Sequence, residues 1–342
     1  MNGRERIQAA LQNRRADTTP IMLHNFMMAA RESGITMATF RSNPRELARA
    51  FIESVERYGY DGIVIDVDTV TLAAAAGVPV DLPVDEPGRV RGGRLKSLEE
   101  VNGLEPVDIL HYGGVQVWLD AVRLLKQHFG DDIYIRGNCD QNPFTLASLI
   151  RGMDAWMTDL LTPAMEQHIH ALLAYATSIT LQFIRHMAGT GAHMCSNGNS
   201  VAGPELISPS LYRTFALPYD RQIVTASHAA GLPYILHICG NTAPILDDVL
   251  ATGADGLDID YKTDARVAHE KLRHRAVFVG NIDPSGVLAL GTPALVERTT
   301  QDLLEIFADT PRFILNAGCA IPPTTPPENL RAMIRVAREF RR

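Results

Sequence analysis

Three residues in this chain carry side chains that bind soft metal ions and stand where strands would end. His237 and Cys239 lie two positions apart in LPYILHIC, and Cys319 closes a second apolar run, FILNAGC. Residues two apart on an extended strand point to the same side, so His237 and Cys239 can reach one ion while Ile238 turns away into packing. One imidazole and two thiols make a nitrogen and sulfur donor set that is most simply read as zinc. Structural zinc sites usually gather four ligands within short Cys-x2-4-Cys loops, whereas the third candidate here lies 80 residues downstream. Such spacing suggests three protein ligands and an exchangeable fourth position. The competing reading is plain packing, because free cysteine is among the most buried residue types.

A fold must bring these positions together. Short apolar runs recur at 20–24 (PIMLH), 62–66 (GIVID), 132–137 (DIYIRG), 192–195 (AHMC), 233–239, 255–260 (DGLDID), 276–280 (AVFVG) and 312–316 (RFILN), with helical patterns between most of them. Eight such runs predict an α/β chain folded as one closed (β/α)8 barrel spanning residues 1–342, with no linker between independent domains. Segment 44–59 places Leu47, Ala48, Phe51, Ile52 and Val55 on one helical stripe and stops at Gly59. Thr292-Pro293 and Thr325-Pro326 read as helix starts, with the hydroxyl capping and the proline preformed in the first turn. A stretch of about 65 residues between the second and third runs reads as an excursion carrying an extra helix or hairpin.

Composition narrows the function. A chain of 342 residues with 46% hydrophobic content can bury a large core. It has no 18-residue apolar stretch and no secretory leader, which predicts a cytoplasmic protein without a membrane partner. The net charge of −7, with signs interspersed, offers no basic patch for nucleic acid. Four irregularly spaced cysteines fit a reducing compartment better than a disulfide framework. RGGR (91–94) and GTGAH (189–193) lack the strand-to-helix setting of a dinucleotide site, and no phosphate-binding GxxxxGK[ST] loop or GxSxG elbow occurs.

In a barrel the active site gathers at the C-terminal ends of the strands. His24, Asp66 or Asp68, Asn138 with Cys139, Cys195, Asp258 or Asp260, and Asn281 with Asp283 all fall there, beside the metal trio. Asp68 is a mouth residue that could also cap the TLAAAAG segment. His24 is either functional or a satisfied strand-end histidine. Asp258 and Asp260 alternate with Leu257 and Ile259, so both carboxylates project to one side, as outer partners or a fourth metal contact. Cys139 and Cys195 read as packed thiols, and His111, His128, His168, His170, His186, His228, His269 and His274 as surface or packing residues.

Four segments resemble the uroporphyrinogen decarboxylase superfamily: GNCDQNPFTLASLIRG (137–152), ISPSLYRTFALPY (207–219), GLDIDYKTD followed by VFVGNIDPSGVLALGTPALV, and NAGCAIPPTTPPENLRAMI (316–334). Where the decarboxylases carry arginines for their acidic tetrapyrrole, IMLHNFMMAARESG (21–34) has only Arg31, and Cys319 replaces a family histidine. HICGNT (237–242) and GCAIPPTTPPEN (318–329) are instead similar to the branch that transfers methyl groups between a methylated corrinoid protein and a thiol, using zinc. That resemblance implies zinc ligation by His237, Cys239 and Cys319. Asp260 would be a fourth ligand or a support for His237, and Asp68 and His24 would complete the catalytic group, with Asn281 and Asp283 lining the cofactor pocket. A small thiol and a corrinoid, carried by a partner protein or free, are the implied partners, since the chain is used up by one barrel and shows no D-x-H-x-x-G pattern. Homodimerisation is left open. Asp68 falls at the decarboxylases' catalytic aspartate, which keeps a metal-free lyase as the alternative, beside a non-catalytic barrel with a structural zinc.

Overall fold

The eight apolar runs become eight parallel strands in a computed structural model that describes residues 1–341. They are β1 (Met22–Leu23), β2 (Gly62–Ile65), β3 (Tyr134–Gln141), β4 (Met194–Gly198), β5 (Tyr234–Ile238), β6 (Gly256–Ile259), β7 (Val277–Ile282) and β8 (Phe313–Ala317). Each strand pairs with its neighbours in chain order, and a parallel bridge between Ile21 and Leu315 joins β1 to β8. The result is a (β/α)8 barrel.

The period of two along each strand builds the interior in layers. Met22, Val64, Tyr134, Met194, Ile235, Val277 and Ile314 form one buried apolar cluster with Ile7 and Ala10 of helix Gly3–Leu11, which closes the bottom of the barrel. Two residues further along most of these strands the interior side turns polar: His24, Asp66, Arg136, Ser196, His237 and Asn316. The sequence thus climbs from an apolar plug to a polar rim within one period of the pleat.

The outer helices follow local rules. In helix Pro44–Tyr58 the Asn43 side chain accepts from the amides of Arg45 and Glu46, Pro44 opens the first turn, and Gly59 ends it at φ 67°. Of its expected stripe Leu47, Ala48, Phe51 and Val55 are buried, while Ile52 lies at the edge and is only partly covered. Thr292 caps helix Pro293–Ile306 through the Leu295 amide. Thr325 does not cap: helix Pro327–Glu339 starts one residue later than expected and has no side-chain cap. Pro326, which cannot donate, occupies the capping position there.

The excursion after β2 contains a two-stranded hairpin, Val80–Asp81 with Arg89–Val90, followed by short turns and the helix Gly113–Phe129. β3 and β4 extend past their expected ends at 137 and 195, and the pairing shifts register between Asn138 and Gln141. Asp140, at φ 58°, sits in this bulge, which turns its carboxylate across to the Leu72 amide at 2.6 Å. Among the described residues no helix is long and apolar enough to cross a membrane.

Candidate metal centre

The ends of β5 and β8 bring the predicted donors together. The ligand atoms of His237, Cys239 and Cys319 all lie within 4.8 Å of one another, and Cys239 Sγ is 3.3 Å from His237 Nε2. A tetrahedral zinc with bonds of about 2.3 Å to sulfur and about 2.0 Å to nitrogen needs donors roughly 3.5–3.8 Å apart, so the trio fits with small adjustment. All three residues are only partly buried, so solvent reaches the trio.

The charges of the trio point the same way. Burial disfavours the His237 cation, yet contact with Cys319 and the charge of Asp258 outweigh it and push the imidazole up to about 9. Contact between the two thiols draws Cys239 below its ordinary value and pushes Cys319 up to about 12. A cation bound at this centre would have to displace the protons that His237 and Cys319 hold.

The surroundings hold the trio in place. His237 Nδ1 donates to the Asp258 carbonyl at 2.9 Å, its register partner on β6, which leaves Nε2 free to bind. Asp258 in turn accepts from Arg136 Nη1 at 2.6 Å, an ion pair reaching across the barrel from β3 with side chains 3% and 4% exposed. The carboxylate of Asp260 accepts from the Gly240 amide with one oxygen and from the Lys262 amide with the other, both at 2.9 Å. It ties the turn after Cys239, where Gly240 sits at φ 86°, to the loop after β6. Asn281 Nδ2 donates to the carbonyls of Asp260 and Thr263, fastening that same loop to β7. Gly318 precedes Cys319 where any Cβ would collide with the Tyr261 backbone, so the thiol is delivered by a close approach of two loops.

The other expected residues lie elsewhere on the rim. His24 Nε2 meets Asp66 Oδ2 at 2.8 Å. Asp68 Oδ1 accepts from the Val70 amide and the Thr71 hydroxyl, so it does steady the start of the TLAAAAG helix, and burial raises its carboxyl above the usual range. Asp283 accepts from the amides of Ser285 and Gly286 and caps the turn Pro284–Ala289. Cys139 and Cys195 are buried in the core, as packed thiols should be. His228 and His269 pair with Asp255 and Asp309 away from the rim. A cavity of about 560 Å³, lined by Met27, Arg31, Ile35, Met37 and Pro323 among others, opens beside the loop that follows Cys319.

Two residues of the rim escape a reading by strand ends. Arg136 stands inside the apolar run DIYIRG, where a buried charge is itself a signal that a partner must exist. Asp140 lies beyond the expected end of β3. Burial, then the charge of Asp68, raise its carboxyl well above the usual range, and among the described residues its Oδ1 has no hydrogen-bond partner.

Comparison with known proteins bears on this geometry. The family model described as Uroporphyrinogen decarboxylase (URO-D) matches residues 2–340. Methylcobamide:CoM methyltransferase MtbA of Methanosarcina acetivorans is 31% identical over 247 residues, 72% of this chain and 70% of that protein. The protein of the same name from Methanosarcina mazei is 28% identical over 99% of this chain and 98% of its own. Uroporphyrinogen decarboxylase of Coxiella burnetii is 26% identical over 91% and 86%. A solved methyltransferase from Methanosarcina mazei superposes with a TM-score of 0.89 at 26% identity, covering 99% of both chains.

Proposed function

Because the chain belongs to the uroporphyrinogen decarboxylase family, we propose that it is a zinc-dependent methyltransferase acting between a methylated corrinoid and a thiol. The convergence of His237, Cys239 and Cys319 from two strands carries this reading. Zinc bound there would make a thiol a thiolate at neutral pH, where a free thiol with pKa about 8.5 is mostly protonated. Similarity to proteins named methylcobamide:CoM methyltransferase supports a corrinoid as co-substrate, supplied by a partner protein or free.

Each residue then has a task. His237 Nε2 and the two thiol sulfurs hold the ion, while Asp258 and Arg136 fix the imidazole. Asp260 and Asn281 clamp the loops that carry the ligands, which limits the wandering of a bound sulfur before attack. Across the mouth His24 pairs with Asp66 and Asp68 steadies the start of the next helix, and Asp283 shapes the loop where the corrinoid would approach.

Metal content tests the proposal first. Protein purified without added metal should hold near one zinc per chain, and His237→Ala and Cys319→Ala should both lose it together with demethylation of methylcobalamin by a panel of thiols. Absence of zinc after reconstitution overturns the mechanism. With cobalt in place of zinc, added thiol should shift the ligand-field spectrum; an unchanged spectrum would mean a closed structural site. The raised Asp68 carboxyl favours one other reading, a metal-free lyase. Turnover of uroporphyrinogen by metal-free protein would establish it, and the expected result is none.

A further inference from the structure

Behind the metal ligands lies a buried carboxyl group that no cation answers. Asp220 is wholly enclosed, and its side-chain partners are neutral donors: Asn142 Nδ2 at 2.9 Å and Asn199 Nδ2 at 3.0 Å on Oδ1, and the Tyr212 hydroxyl at 3.0 Å on Oδ2. Burial raises its carboxyl to about 7 against the pull of those donors. An acid buried without a countercharge costs stability, and an apolar side chain of similar size would avoid that cost. Its place in the core therefore calls for a task.

The other bonds of Asn199 show what the task is. Its amide donates to the His237 carbonyl at 2.7 Å. Its Oδ1 accepts from the Thr145 hydroxyl at 3.0 Å, and that hydroxyl accepts from the Val201 amide at 3.3 Å. Three elements thus meet on one loop: Thr145 from helix Pro143–Arg151, Asn199 and Val201 from the segment after β4, and Asp220 from helix Leu217–Ala229. The loop runs on to Gly203, where an added Cβ would lie 2.4 Å from the Cys239 carbonyl oxygen, so its backbone presses directly on the second donor residue. β5 ends at Ile238, and past that point loop 199–203 takes the place of a neighbouring strand. Tyr212 reaches Asp220 from the turn Tyr212–Ala216, which is wound wider than an α-helix, a form frequent at functional sites.

We propose that Asp220 is a positioning residue for the metal centre: by fixing Asn199 it clamps loop 199–203 onto the carbonyls of His237 and Cys239 and sets the spacing of the two donors. The proposal rests on the zinc reading above. Only a group that accepts on both oxygens suits the position, because Asn142, Asn199 and Tyr212 all donate to it. Asn199 Nδ2 lies 3.0 Å from one oxygen and 3.2 Å from the other. Whichever way the amide of Asp220→Asn turns, it therefore presents an NH2 to Asn199, so this near-isosteric change strikes the clamp itself.

The test compares wild type, Asp220→Asn and Thr145→Val at pH 8, with Thr292→Ala as a control for general destabilisation. Zinc affinity is read by competition with a chromophoric chelator, and donor geometry by the ligand-field spectrum of cobalt-substituted protein. Asp220→Asn should bind zinc about 10- to 100-fold more weakly than wild type and shift the cobalt bands, with Thr145→Val changed in the same direction by less. Thr292→Ala should match wild type in both. In metal-free protein, hydrogen exchange at the Asn199 amide should speed up in Asp220→Asn and not in Thr292→Ala. Wild-type affinity and bands in Asp220→Asn, or an equal loss in Thr292→Ala, would overturn the positioning role and leave the metal centre standing. Wild-type protein that takes up neither ion would overturn the zinc reading and the positioning role with it. If Asp220→Asn does not fold, Thr145→Val decides, and wild-type affinity and bands there would overturn the clamp.

Discussion

The two sides of the barrel mouth are built from different chemistry. From β5 and β8 come an imidazole and two thiols, supported by the buried ion pair between Arg136 of β3 and Asp258 of β6; from β1, β2 and β3 come a histidine and three carboxylates, with Arg41 beyond them. Among the described residues only the first set converges to metal-binding distances. On the second side, Asp68 and Asp140 are pushed toward their neutral forms by burial and engaged by backbone amides, which removes the charge a hard cation would need. The division teaches that soft and hard donors are kept apart on one rim, so that the ion is not lost to oxygen donors.

Substitutions that cross the division should break it most visibly. Cys239→Ser is expected to abolish stoichiometric zinc and to cut methyl transfer by at least about 10³-fold, whereas Asp68→Asn should retain the metal; elemental analysis beside the activity assay reads both. Loss of zinc from Asp68→Asn would mean the two sides are one site. Next in size is the ion pair. Arg136→Met strands a buried carboxylate and should cost about 3–5 kcal/mol in urea unfolding, while Arg136→Met combined with Asp258→Leu should recover much of that loss.

A pH series sharpens the other side. The folded carboxyl of Asp140 lies above its unfolded value, so the folded chain holds that proton more tightly. Its contribution is fully present below about pH 4 and declines as pH rises through the folded value. Asp140→Asn should therefore flatten the fall of wild-type stability over that range, measured by denaturant midpoints. If the two proteins track each other, the proton is not held there. The smallest effect calibrates the rest: Thr292→Ala should cost about 1 kcal/mol through its lost cap, and Thr325→Ala should cost less than that through capping because Thr325 caps nothing.

The barrel was legible because its strands are short apolar runs, each with its own punctuation, and the metal trio because His237 and Cys239 obey the strand period. Cys319 could be placed only with the whole fold in mind, since nothing local links it to position 237. Residue types do not mark a strand that continues through polar positions: β3 runs on through Asn138, Cys139 and Asp140, and its bulge is a matter of pairing with β4. Nothing local reveals the role of Arg136, because its partner Asp258 is 122 positions away. Asp260 and Asp283 were visible as carboxylates near the rim, but the amides they bind depend on turns of the backbone that residue types alone do not specify.

The Arg136–Asp258 pair also bears on how such a barrel could be divided. Arg136 belongs to the first three strands and Asp258 to the last three, so a cut between β4 and β5 would leave each fragment with one unmatched charge facing its own core. Neither fragment could close over that charge cheaply, and each would be repaired only by the other. The polar crossbar that aligns a histidine thus makes the two halves of the chain mutually dependent, and sets a boundary that recombination or fragment exchange within this fold would have to respect.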